Sequence, residues 1–140
     1  MSIEANKALV RRFYETLWNR WDYAAIGGIL TPDVVFRGSL GVQKSGHAGF
    51  VEYAEYVRAA FPDFHNRIEE LIAEDEKIAA CLTYTGTHEG EIFSVPPTGR
   101  RIEYTGVAIF LVRGGLISHG FVLGDRFQLA LQLGAIEPVE

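Results

Sequence analysis

Residues 101–126 read RIEYTGVAIFLVRGGLISHGFVLGDR. Two runs, Arg101 to Val112 and Leu116 to Arg126, are rich in β-branched, aromatic and leucine side chains and flank Gly114-Gly115. That is the composition of a strand, a tight turn and a returning strand. Upstream, Phe64 to Ala73 and Ile78 to His88 repeat the arrangement around Asp75-Glu76. Four such strands form an antiparallel meander. The longer connection, Glu89 to Arg100, carries Pro96-Pro97-Thr98-Gly99 and reads as a stiff loop placed to rim a pocket.

Before Pro62 the period is helical. Leu9, Val10, Phe13, Tyr14, Leu17 and Trp18 cover half of a helical wheel, opposite Arg11, Arg12, Glu15 and Asn19. Asp22 is placed to cap a second helix through Leu30, weakened by Gly27-Gly28 and ended by Thr31-Pro32-Asp33. Val34-Val35-Phe36 predicts a short strand, and residues 41–49 a loop. A third helix runs to Phe61 with Phe50, Tyr53, Ala54, Val57 and Ala60 on one side, and Pro62-Asp63 stops it. The tail, Phe127 to Leu133, is helix-like and ends at Gly134.

Helices first and an antiparallel meander second is the α+β pattern, here as one domain over residues 1–140. A long antiparallel sheet curls. Helices laid across its concave side leave a cavity for Tyr14, Trp18, Phe36, Phe50 and Phe121 to line.

Composition narrows the function. The 140 residues are 48% apolar and 22% charged, enough to bury one core. Net charge is −5 with no Lys/Arg cluster, which argues against nucleic acid and anionic membranes as partners. Cys81 is the sole cysteine, so no intrachain disulfide forms and a reducing compartment fits. The longest strongly apolar run, Val107 to Val112, is too short to span a bilayer, and residues 1–7 lack a signal-peptide pattern. A cytoplasmic location is expected. His47, His65, His88 and His119 are scattered without metal-ligand spacing, and neither G-x-S-x-G nor a glycine-rich phosphate loop is present. No metal and no cofactor are therefore expected.

Several stretches carry a family resemblance. They are Asn6-Lys7 through Phe13-Tyr14-Glu15 to Trp18-Asn19-Arg20, then Leu30-Thr31-Pro32-Asp33-Val34-Val35-Phe36, and Ala59-Ala60-Phe61-Pro62-Asp63. Thr85-Gly86-Thr87-His88-Glu89-Gly90, Pro96-Pro97-Thr98-Gly99 and the last strand into Gln128 to Gly134 continue it. In this order they resemble the SnoaL-like polyketide cyclase family. The resemblance implies the cone-shaped, cystatin-like fold of the nuclear transport factor 2-like superfamily and a homodimer. It also implies a cofactor-independent intramolecular aldol closure, with an Asp near the end of the last strand as base and a first-helix tyrosine in the pocket. Asp125 and Tyr14 match those positions. Two departures stand out: His119 occupies the position where the family often has Glu, two residues before the aromatic matched by Phe121, and Cys81-Leu82 replaces a frequent Arg-Trp.

Strand parity puts Ile117, His119, Phe121, Leu123 and Asp125 on one face. A carboxylate buried on such an apolar face becomes a stronger base for a proton beside a carbonyl. Asp125 is thus the candidate catalytic residue, with Tyr14, Trp18, Phe36, Phe50, His119 and Phe121 around a small, largely apolar substrate. A strand-end cap or ion pair is the structural alternative for Asp125, and a hydrogen-bonded histidine near a pocket or dimer face that for His119. Three functions remain open: an aldol-type cyclase or isomerase, another enzyme on the same cone such as a double-bond isomerase or an epoxide hydrolase, and a non-catalytic binder. The isomerase would use Tyr14 with Asp33 or Asp125. Adjacent Asp125 and Arg126 face opposite sides of a strand, which counts against the hydrolase.

Overall fold

The computed structural model describes residues 2–137. Helix α1 spans Ile3–Arg12 and is capped by Ser2, whose hydroxyl accepts the Ala5 N–H at 3.0 Å. The predicted helix continues to Trp18, but Phe13–Trp18 is wound as a π-helical turn. Its signature is the Asn19 N–H donating to the Tyr14 carbonyl, five residues back, at 2.8 Å.

Asp22 introduces only a 3₁₀ turn, Tyr23–Gly28, in place of the expected second helix. The two glycines are poor helix formers. Strand β1 begins earlier than expected and spans Leu30–Arg37, taking in Pro32. Proline is tolerated because the β1 register against its neighbour shifts between Leu30 and Val35. The expected loop holds a short strand β2, Gln43–Ser45, and the first residues of helix α2, Gly46–Ala60. Glu89 and Gly90 both donate backbone N–H groups to the Ala60 carbonyl, closing the helix end.

The meander follows the predicted boundaries to within two residues: β3 His65–Glu74, β4 Lys77–Thr87, β5 Arg101–Arg113 and β6 Leu116–Gly124. Helix α3, Arg126–Leu133, ends at Gly134 in the left-handed region. The six strands are ordered β2-β1-β6-β5-β4-β3, and β1 runs parallel to β6. The fold is therefore mixed α+β, with a sheet that curls without closing. Along β5, buried and exposed residues alternate through the strand. No helix among the described residues is long and apolar enough to cross a membrane.

The concave side is packed solid with rings. Phe13 meets Phe36, Phe50 and Phe110 at centroid distances of 5.6, 5.6 and 5.3 Å. Trp18 lies 5.6 Å from Phe50, 5.9 Å from Tyr53 and 6.0 Å from Phe64. Such contacts contribute beyond their buried area. The interior is a filled aromatic core with a narrow crevice, where the sequence suggested an open cavity.

Candidate functional site

The crevice lies between the π-helical turn, α2 and the inner face of the sheet. Tyr14, Trp18, Phe36, Ser39, Tyr53, Asn66 and Tyr84 are among the residues lining it. Its volume is about 250 Å³, but the free space at its centre holds about one water molecule.

Each polar group is carried there by a definite element. The inward parity of β4 and β5 places Tyr84 opposite Tyr104. Two glycines make room for tyrosine rings. A Cβ on Gly38 would lie 2.1 Å from Tyr53 Cε2, and one on Gly106 would lie 2.8 Å from Tyr84 Cε2. Ser39 Oγ and Tyr104 Oη share a hydrogen bond of 2.9 Å, and Tyr53 Oη accepts the Leu40 N–H at 3.1 Å. The Tyr14 hydroxyl is buried and has no hydrogen-bond partner among the described residues. An unmet buried hydroxyl costs free energy unless water or a ligand satisfies it.

Burial dominates the electrostatics. It pushes the Tyr53 phenol up to about 12, and holds the Tyr14, Tyr84 and Tyr104 phenols well above their ordinary value. All four are neutral donors at physiological pH. Among the described residues no Asp, Glu, Lys or Arg is buried. The interior therefore offers hydroxyls and an amide, and nothing to balance a charged ligand.

The candidate residues divide. Tyr14, Trp18 and Phe36 line the crevice together, and Phe50 packs behind them. His119 and Phe121 stand on the outer face of the sheet, where Phe121 is 49% exposed beneath the Arg37 guanidinium. The physical reason is a register shift between β5 and β6. Leu111 pairs with His119 but Val112 pairs with Ile117, so Ser118 bulges and both Ile117 and Ser118 turn inward. The odd-numbered face beyond the bulge is the outer one.

Asp125 is exposed rather than inside the cone. Its Oδ1 accepts the Gln128 N–H at 3.1 Å, which makes it the N-cap of α3. Asp33 is likewise exposed and salt-bridged to Arg113 at 2.6 Å, and it is not among the residues that line the crevice with Tyr14. The nearby Thr31 hydroxyl and the hydrogen-bonded Arg113 guanidinium hold its carboxyl below the usual range. The four histidines are separately engaged or exposed: His47 with the Leu30 carbonyl, His88 with Thr98, His119 with Ser118, and His65 at the surface.

Among the crevice-lining residues, sequence reasoning missed Ser39, Asn66 and Tyr84. A signal existed: Tyr84 shares parity with Ile78, Ala80 and Leu82, which places a hydroxyl-bearing ring on the inner face of its strand.

The SnoaL-like polyketide cyclase family model matches residues 8–133. Among solved structures, AclR from Streptomyces galilaeus, assigned as a hydroxylase, is 30% identical with a TM-score of 0.84, covering 99% of this chain and 87% of that one. IdmH from Streptomyces antibioticus, assigned as a polyketide cyclase, is 25% identical with a TM-score of 0.80, over 92% and 98% of the two chains. A chain from Acidithiobacillus ferrooxidans, also assigned as a polyketide cyclase, is 25% identical with a TM-score of 0.83, over 98% and 100%. No curated protein sequence matches.

Proposed function

Because the chain belongs to the SnoaL-like polyketide cyclase family, we propose that its crevice binds an uncharged carbonyl compound for cofactor-independent, aldol-type or isomerising chemistry. The observation that carries this reading is the buried, unpartnered Tyr14 hydroxyl in an aromatic crevice free of buried charge. Tyr14, which shares the crevice lining with Tyr84, donates to the carbonyl oxygen and stabilises the negative charge that builds on it. Trp18 and Phe36 hold the carbon skeleton. Uptake requires the crevice to open, since its centre holds about one water.

One observation favours a second reading, a non-catalytic binder: no carboxylate among the described residues is turned into the crevice. The test is turnover of aromatic β-keto esters, followed by chromatography. An enzyme closes or isomerises the ester, and Tyr14→Phe slows it on the order of 10²-fold with binding retained. Stoichiometric binding with no product establishes the binder.

The chain is further proposed to act as a homodimer through the outer face of the meander, in the cytoplasm. Two exposed cross-strand pairs, Val107 with Leu123 and Ile109 with Phe121, form an apolar patch there. A second copy presents the same patch, so a two-fold axis covers both.

A further inference from the structure

We propose that the ligand enters through the polar groove between α1 and β3, parts the Asn19–Asn66 pair, and leaves its polar end in that groove. This deepens the reading of the crevice above and rests on it. The groove opens to solvent and encloses about 830 Å³, with Arg11, Glu15, His65 and Arg67 among its walls. It shares two lining residues with the crevice, Tyr14 and Asn66, so the two spaces meet there.

Asn19 closes the junction. Its Nδ2 donates to the Asn66 carbonyl at 2.9 Å, and its Oδ1 accepts from the Asn66 backbone N–H at 2.8 Å and from Asn66 Nδ2 at 3.3 Å. Beside an aqueous groove, water can take over these bonds when the pair separates. The backbone on both sides is already irregular. Asn19 ends the π-helical turn, and the β3–β4 register shifts between Ile68 and Glu70. Movement there disrupts less regular hydrogen bonding than anywhere along an α-turn or an unbroken ladder.

Charge fixes the orientation. Among the described residues no Asp, Glu, Lys or Arg is buried, whereas the groove carries both signs and free solvent. An apolar end goes inward and a charged or strongly polar end stays outside. Tyr14 lines both spaces, with its hydroxyl buried.

Trp18, in the crevice lining, reports access when Trp21→Phe removes the second indole. Asn19→Ala should raise acrylamide quenching of Trp18 at least twofold. Asn66→Ala, which keeps both backbone bonds to Asn19, should raise it less and covers the case in which Asn19→Ala does not fold. Thr98→Val, which removes a hydroxyl contact to His88, is the control and should leave quenching unchanged. Equal quenching in wild type and both asparagine variants, or an equal rise in Thr98→Val, overturns the route. The probes 2-naphthol and 6-hydroxynaphthalene-2-sulfonate then test orientation. Comparable binding of both supports it, and tenfold weaker binding of the sulfonate overturns it. If neither binds, the ligand reading of the crevice itself fails, a result separable from the quenching arm.

Discussion

Tyr84 and Tyr104 face each other across the β4–β5 ladder with ring centroids 4.8 Å apart, both buried. Each would have to ionise inside an aromatic core, whereas an unfolded chain ionises tyrosine near pH 10. Folded pKa values raised by burial leave their contribution intact below about pH 10 and lose it as pH rises towards the folded values. For Tyr53 that window closes at about 12. Urea unfolding should show stability nearly level from about pH 9 to about pH 10, then falling by on the order of 1.4 kcal/mol per pH unit for each buried tyrosine towards about pH 11. Tyr84→Phe should make the slope shallower by one tyrosine; an unchanged slope would mean the phenol is not shielded.

Asp125 caps α3, and the variants separate that role from catalysis. Asp125→Ala should lower stability by about 1 kcal/mol, and Asp125→Asn, itself a good N-cap, by much less. If the carboxylate also serves as base, Asp125→Asn abolishes turnover while melting stays put. Turnover within a few-fold of wild type would locate the base elsewhere.

On the outer face, Leu123 is 62% exposed next to Val107. Replacing Leu123 and Phe121 by Asp should convert a dimer into a monomer in sedimentation equilibrium at micromolar concentration. A wild-type monomer under the same conditions would remove the interface from consideration.

Gly38 is expected to tolerate no side chain. Its added methyl would sit 2.1–2.2 Å from Tyr53 Cε2, Cζ and Oη, on a ring held by burial. Gly38→Ala should cost about 1–3 kcal/mol by overpacking. A melting temperature equal to wild type would show that the ring can retreat.

The meander was legible because turn chemistry and two-residue periodicity agreed: Gly114-Gly115 and Asp75-Glu76 sit at hairpin turns. Which face pointed inward was not legible for β6. Ile117 set the apparent phase, and the bulge at Ser118 reverses it, so His119 and Phe121 land outside. A bulge depends on the partner strand and leaves little trace in the strand's own residues. The burial of Tyr14, Trp18 and Phe36 was legible because their elements, a helical wheel and a β-branched run, announced a buried face. Ser39 and Asn66 escaped because isolated polar residues near turns ordinarily read as surface. The short 3₁₀ turn at Tyr23–Gly28 shows local capping losing to two glycines.

The parallel pairing of β1 with β6 joins the first third of the chain to its last strand. During synthesis from the N-terminus, β1 can pair only with β2 until residues 116–124 leave the ribosome. The rings of Phe13, Trp18, Phe36 and Phe50 must meanwhile wait without the sheet that buries them. Sequence-distant contacts of this kind slow folding and leave apolar surface exposed in nascent chains. Chaperone demand, and sensitivity to premature termination before Ile117, should therefore be set by this one strand pair.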